Sequence, residues 1–177
     1  MIRITGGKNR SRKLFIPENN LTKPTMDKVR AAVFNALTND VKGKDVLDLF
    51  SGSGSYGFEA LSRDAKSATF VDKEKEAIIA IKKNAEMLKE TNIKVFQSDV
   101  TSFLESKNGQ FDLVFVDPPY KLDIYQNVLD LLEKNTYLKD EAIIVLESEK
   151  ELSINEEKYK KVKLYNYGLA KIYILRK

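Results

Sequence analysis

Phe111-Asp112-Leu113-Val114-Phe115-Val116-Asp117-Pro118-Pro119-Tyr120 is where the architecture of this chain can first be read. Residues 113–116 form a short unbroken apolar run, the pattern of a strand buried on both faces of a parallel sheet. The strand cannot continue through Pro118 and Pro119, because each proline fixes φ and lacks an N–H. The chain therefore leaves a buried strand at a stiff corner, with an acid before it and an aromatic after it. The prolines donate no hydrogen bonds, so the local backbone offers mainly carbonyl acceptors. Asp117 adds carboxylate acceptors, and Tyr120 adds a flat π face. A flat ring carrying an exocyclic amine suits such a corner: adenine, cytosine or guanine. Two acceptors on the amine would draw its lone pair out of conjugation, so that the nitrogen could attack an electrophilic methyl group. The carboxylate would offset the developing positive charge, and stacking on a base is worth about 1–3 kcal/mol. The simpler reading is an ordinary Asp-Pro turn after a strand. An acid, two prolines and an aromatic directly after four apolar residues favour the chemical one.

The same strand-and-helix alternation extends outward from this stretch. Upstream, residues 45–50 read as the first core strand, followed by Ser51-Gly52-Ser53-Gly54 and a helix over 56–61. A strand at 68–71 leads to Asp72, and an amphipathic helix spans about 73–89, with Ile78, Ile81, Ala85 and Leu88 on its buried face. A strand at 93–96 leads to Asp99 and a short helix through Phe103 and Leu104. Downstream, a helix carries Tyr125, Val128, Leu129 and Leu132, and a strand covers 142–146. Two further strands are expected near 160–165 and 170–175, joined around Gly168. Alternation of this kind predicts an α/β fold: a mostly parallel sheet with helices on both faces. The last two strands are close enough in sequence for an antiparallel hairpin.

Ligands of such sheets sit at the carboxyl ends of the strands. Four acids fall at or near those ends: Asp48, Asp72, Asp99 and Asp117. Gly52 and Gly54 would let the backbone approach a ligand closely. Asp72 is placed to bind two ribose hydroxyls, and Asp99 to accept from an adenine amino group. Singly, each acid could be a turn residue or a helix cap. Gly52-Ser53-Gly54-Ser55-Tyr56-Gly57 also fits the G-x-G-x-x-G dinucleotide fingerprint, with Asp72 lying 18 residues after Gly54. A nicotinamide enzyme would need neither the Asp117 corner nor a basic arm. Adenine and ribose recognition fit S-adenosylmethionine equally well, and the corner calls for a methyl donor.

The 177 residues suit one domain with a sizeable core. There is no cysteine and no histidine, which excludes disulfides, thiol nucleophiles, serine–histidine hydrolysis and histidine-ligated zinc. No metal is expected. The net charge of +4 is uneven: residues 1–30 hold eight basic and two acidic side chains, and the remaining 147 hold 22 and 24. A basic segment on a near-neutral body predicts a polyanion held at one end. Residues 2–5, a glycine turn over 6–9 and residues 10–16 read as a β-hairpin, followed by a connector. Thr25 can cap a helix running from Asp27 to Thr38, with Val29, Ala32, Val33, Ala36 and Leu37 on one stripe. Arg30 and Asn35 lie off that stripe, within reach of a ligand. The candidate nucleic-acid contacts are Arg3, Lys8, Arg10, Arg12, Lys13, Lys23 and Arg30. The expected division is a basic hairpin appendage over 1–24 and a catalytic body over 25–177. Met1 leads straight into Ile2-Arg3-Ile4, and no apolar stretch approaches a membrane span, so a cytoplasmic protein without a membrane partner is expected.

With these residues in hand, the chain resembles the class I S-adenosylmethionine-dependent methyltransferases that modify amino groups, whose hallmark is [D/N]-P-P-[Y/F/W]. More narrowly, it resembles the bacterial 16S rRNA guanine-N2 methyltransferases. The similar blocks are Arg3-Ile4-Thr5-Gly6-Gly7, Arg10-Ser11-Arg12-Lys13-Leu14, Pro24-Thr25 through Val29-Arg30 and Val33-Phe34-Asn35. They continue with Leu47-Asp48-Leu49-Phe50-Ser51-Gly52-Ser53-Gly54, Glu59-Ala60-Leu61-Ser62-Arg63 and Asp117-Pro118-Pro119-Tyr120. One departure is Lys23, where that family usually has arginine; lysine keeps the charge without the bidentate geometry. The resemblance implies a Rossmann-like sheet of seven strands, mostly parallel, with an antiparallel C-terminal hairpin and a small N-terminal hairpin and helix appended. It implies S-adenosylmethionine as methyl donor, S-adenosylhomocysteine as product, and a monomer acting on 16S rRNA of the assembled or assembling small ribosomal subunit. It assigns Asp117, Pro118 and Tyr120 to catalysis, and Asp48, Phe50, Gly52, Gly54, Asp72, Asp99 and Asp117 to the cofactor. Guanine N2 rests on this resemblance alone, since residues 111–120 do not separate it from adenine N6. The alternatives are an N6-adenine methyltransferase of DNA or RNA, a non-catalytic RNA-binding assembly protein, and an NAD-dependent oxidoreductase.

Overall fold

The computed structural model describes residues 2–18, 27–106, 109–119 and 123–177. Its centre is a seven-stranded sheet. The strands are β3 (Asp45–Leu49), β4 (Ser67–Asp72), β5 (Ile93–Gln97), β6 (Phe111–Val116), β7 (Leu138–Ser148), β8 (Lys161–Tyr167) and β9 (Ala170–Arg176). They lie in the order β5-β4-β3-β6-β7-β9-β8. The first five run parallel, while β9 is antiparallel to both β7 and β8. The expected α/β class and C-terminal hairpin are thus present, and Gly168 turns that hairpin at φ +64°.

Side-chain alternation divides the core. Val46, Leu113, Phe115, Ile143 and Val145 face the side covered by α1 (Asp27–Leu37), α2 (Ser55–Ser62) and α3 (Lys75–Leu88). Leu47, Leu49, Val114, Val116, Ile144 and Leu146 face α4 (Val100–Glu105) and α5 (Tyr125–Lys134). Both faces are covered, so the central strands read as continuous apolar runs.

Two elements depart from the expected bounds. Strand β7 starts at residue 138, four positions early. Of the extra residues, Leu138 pairs with Phe111 across a register shift between Phe111 and Leu113, and Glu141 takes φ +62°. Their polar sequence, Lys139-Asp140-Glu141, hides the strand. Lys139 Nζ nevertheless ties β7 to β6 and to β3 beyond it, donating to Asp112 Oδ2 at 2.9 Å and Asp45 Oδ2 at 2.7 Å.

The N-terminal hairpin is short, with β1 (Ile2–Arg3) and β2 (Lys13–Leu14) pairing as Ile2↔Leu14 and Arg3↔Lys13. Its loop peels away to bond α2: Lys8 N–H donates to the Ser62 carbonyl at 2.8 Å, and Asn9 N–H to Ser62 Oγ at 2.9 Å. Gly7 lies so close to Ser62 that a Cβ would stand 1.8 Å from its carbonyl oxygen. Ile2, Ile4 and Leu14 are buried in the same core as α1 and α2. Residues 2–18, part of the segment read as an appendage, therefore share the core of the body. A two-stranded ribbon is marginal alone, and here it is held from one side.

Candidate active site

The sheet order creates the site. From β3 the chain winds outward through β4 to β5, then returns to lay β6 on the other side of β3. Ligands of open α/β sheets bind at such a switch point, beyond the carboxyl ends of the strands. The register Leu49↔Val116 sets Asp117 beside the loop that begins at Phe50. Pro118 is buried, and Asp117 and Pro119 are half-buried. Asp117, Pro118 and the glycine loop are thus brought together at one end of the sheet.

The loop is built from within. Phe50 takes φ +58° as the chain leaves β3, and its ring packs on the α4–α5 core. Ser51 ties β3 to β4: its N–H donates to the Val71 carbonyl at 3.1 Å, and its Oγ accepts from Val71 N–H at 2.9 Å. Gly52 takes φ +53°, and a Cβ there would meet nothing within 4 Å. Open space over a left-handed glycine at the switch point is what a cofactor cradle requires. Gly54 serves another purpose. At φ +76°, a Cβ there would come within 2.7 Å of the Phe58 ring. The sequence suggested that Gly54 clears space for a ligand; the structure shows it clearing space for Phe58 and Phe70.

The acids occupy distinct places. Asp72 Oδ2 accepts from Gly52 N–H at 2.8 Å and Oδ1 from Glu74 N–H at 2.9 Å, so it anchors the loop at the end of β4. Asp99 is exposed and caps α4, its Oδ1 accepting from Thr101 and Ser102 N–H. Asp48 is only 2% exposed beneath the loop, where it accepts from Gly57 N–H at 2.9 Å. It positions the start of α2 from below. Burial, against the relief given by Gly57, and with the nearby Asp72 charge adding to it, pushes the Asp48 carboxyl up to about 8.

This shift has a consequence for stability. Between the ordinary value of 3.8 and about 8, the folded protein holds a proton on Asp48 that the unfolded chain has released. Stability therefore falls as pH rises through that window, by up to about 1.4 kcal/mol per pH unit. Asp48→Asn, which keeps an acceptor for Gly57, is expected to flatten this slope in urea unfolding at pH 5, 6, 7 and 8. An unchanged slope would mean that Asp48 is ionised throughout.

Arg30 requires a correction. Its off-stripe position on α1 suggested a nucleic-acid contact. Its side chain is instead fully buried, its guanidinium donating to Glu59 Oε2 at 3.3 Å, Asp27 Oδ1 at 3.0 Å and the Arg3 carbonyl. The hairpin covers a second face of α1 and closes over it. The other basic residues stay at the surface with varied ties. Arg3 pairs with Asp27, Lys8 with Glu90, and Arg12 donates to the Met87 carbonyl at 2.9 Å. Arg10 and Lys13 are exposed and form no ion pair among the described residues. Asn35 is exposed. Lys23, Thr25 and Tyr120 lie outside the described residues.

Three polar side chains near the site escaped the sequence reading. Asn84 on α3 is fully buried, its amide donating to the Ser53 carbonyl at 2.9 Å and the Phe15 carbonyl at 3.0 Å, while Oδ1 accepts from Phe15 N–H at 2.7 Å. It joins glycine loop and hairpin through one side chain. Tyr56 stacks on Phe115 with ring centres 4.6 Å apart, and its hydroxyl donates to Glu147 Oε2 at 2.8 Å. Glu147 lies at the end of β7 and is 2% exposed. An acid inside the run Ile143-Ile144-Val145-Leu146-Glu147 was the available signal.

The family model described as conserved hypothetical protein 95 matches residues 2–176. The chain belongs to this family. Among curated relatives, ribosomal RNA small subunit methyltransferase D of Escherichia coli strain K12 is 42% identical over 150 residues, covering 85% of this chain and 76% of that protein. The protein of the same name from Haemophilus influenzae is 38% identical over 154 residues, covering 85% and 80%. The solved structure of the Escherichia coli protein yhhF aligns with a TM-score of 0.86 at 36% identity, covering 99% of this chain and 97% of that one. The match to the family spans hairpin and body together, as the shared core does.

Proposed function

We propose that this protein transfers the methyl group of S-adenosylmethionine to the exocyclic N2 amine of a guanine in 16S rRNA, within the assembled or assembling small ribosomal subunit. One observation carries the reading: β6 delivers Asp117 and Pro118 beside the glycine loop at the switch point, where Asp72 anchors Gly52. A base amine and a nucleoside cofactor can meet only where both sets of groups lie together. S-adenosylmethionine, when bound, supplies the electrophilic methyl. The chain supplies the positioning: Gly52 admits the cofactor, Asp72 and Asp99 offer carboxylate oxygens to its ribose and adenine, and Asp117 orients the amine. As the N–C bond formed and the donor's carbon–sulfur bond broke to leave S-adenosylhomocysteine, positive charge would grow on the nitrogen, and the Asp117 carboxylate would stabilise it until the N–H proton passed to water. The relatives named for small-subunit rRNA methylation support the substrate class.

The test is nucleoside mass spectrometry of 16S rRNA after incubating purified protein with labelled cofactor and unmodified small subunits. N2-methylguanosine at one site is expected; N6-methyladenosine, or preferential modification of DNA, would overturn the substrate.

The exposed hairpin side chains would meet the RNA backbone, with Arg10 and Lys13 the most available. Each phosphate contact contributes about 0.7–0.9 to the slope of log affinity against log salt. Replacing both with alanine is expected to flatten that slope by roughly 1.4 to 1.8 in filter binding across a salt series, with S-adenosylmethionine affinity unchanged. An identical slope would remove these two residues from the interface.

A further inference from the structure

Building on the rRNA reading, we infer that Phe15 is a base-stacking platform: its exposed ring takes an unpaired 16S rRNA base flanking the target, beside the charges of Lys13 and Lys83.

The placement begins with the backbone. Residues 13–15 run exposed, buried, exposed: Leu14 enters the core, while Lys13 and Phe15 stay outside it. Phe15 lies just past the end of β2, beyond the Ile2↔Leu14 pair. Its two backbone groups are taken by one side chain instead. Phe15 N–H donates to Asn84 Oδ1 at 2.7 Å, and Asn84 Nδ2 donates to the Phe15 carbonyl at 3.0 Å. Asn84 is fully buried on α3 and also donates to the Ser53 carbonyl at 2.9 Å. The amide therefore fixes Phe15 relative to the glycine loop, and whatever lands on the ring lies beside the cofactor loop.

The ring itself is left out of the core. Phe15 is 51% exposed, although Leu14 before it and Ile16 after it pack inward. Single exposed apolar residues are ordinary on protein surfaces. An exposed aromatic whose backbone is clamped by a buried amide is preorganised, so little further order is lost when a partner stacks on it. Lys83, on the outer face of α3, places its ammonium 6.0 Å from the ring centre. Lys13 and Lys83 are exposed and form no ion pair among the described residues.

These features select the occupant. A flat ring with ammonium groups beside it matches a nucleotide, whose base offers a π face and whose phosphate offers negative charge. Bases inside an A-form helix are already stacked on one another, so an unpaired nucleotide is the one that can use the platform. Every base has a π face, so Phe15 contributes affinity and placement and leaves the choice of base to the Asp117 end of the site.

The experiment is filter binding of unmodified small subunits to the wild type and three variants across a salt series. Phe15→Ala is expected to bind about 5–150-fold more weakly. Its salt slope and S-adenosylmethionine affinity should be unchanged, because no charge is removed and the Asn84 bonds to backbone remain. Phe15→Tyr is expected to bind as the wild type does. Phe15→Leu, apolar but without a π face, is expected to fall with alanine. Phe15→Leu at wild-type affinity would point to an apolar contact with a ribosomal protein and overturn the inference. So would Phe15→Ala at wild-type affinity, and so would a flattened salt slope or a matching loss of cofactor affinity, which would make Phe15 a support for its neighbours. A wild-type protein that does not bind small subunits would instead defeat the rRNA reading on which this inference rests.

Discussion

Asp117→Ala is expected to bind S-adenosylmethionine as the wild type does and to lose most of its turnover. Asp117 belongs to the corner after β6, while the loop that admits the cofactor is held by Asp72, Ser51 and Asp48 from β3 and β4. Removing Asp117 leaves those bonds in place. What it takes away is an acceptor whose interaction with the amine strengthens as charge develops, and such interactions act on the transition state. Loss of one preorganised group of this kind costs about 10²–10³ in rate. The fall should appear in kcat and kcat/KM together. Asp117→Asn keeps an acceptor without the charge and is expected to fall between the two. Calorimetry with the cofactor and single-turnover methylation of unmodified small subunits check both halves. Near wild-type turnover in Asp117→Ala would leave the corner without a chemical role.

The fold was legible because its strands and helices have different periods. Residues 113–116 and 142–146 are apolar without alternation, and α3 shows its stripe at Ile78, Ile81 and Ala85; each lies where it was expected. What the sequence hid were polar residues in buried places. Arg30, Glu59, Asn84 and Glu147 look like surface residues because patterning assigns polar side chains to water. Their burial arises only when the hairpin closes over α1 and α2, or when β9 covers β7, and those contacts join residues far apart in sequence. Gly54 shows the reverse limit: a glycine in a binding motif can be there for a neighbouring ring. The Asp117 corner could be read because its chemistry is local, four consecutive residues after one strand. The buried Glu147 could not, because it comes near that corner only through strand pairing.

Glu59→Ala is expected to be the most destabilising single change near the site. Glu59 is fully buried on α2 and gathers four donors from three elements. Thr5 N–H reaches Oε2 at 2.7 Å and Thr5 Oγ1 reaches Oε1 at 2.8 Å; Arg63 donates to Oε1 at 2.9 Å and Arg30 to Oε2 at 3.3 Å. Alanine would leave a cavity and remove the fully buried carboxylate partner of the Arg30 guanidinium, and breaking a buried ion pair from one side costs about 3–5 kcal/mol. For a chain of this size that is a fall in Tm of roughly 10 °C. Because the lost bonds fix the hairpin to α2, the variant should also weaken rRNA binding more than cofactor binding. Glu59→Gln keeps shape and an acceptor and should lose less. The sharper check is a double-mutant cycle with Arg30→Met and Glu59→Leu. If the pair is coupled as the distances indicate, the double variant is more stable than additivity allows, since no charge is left buried alone. Additive losses, or a Glu59→Ala variant within about 1 kcal/mol of wild type in urea unfolding, would show that this network does not hold the hairpin.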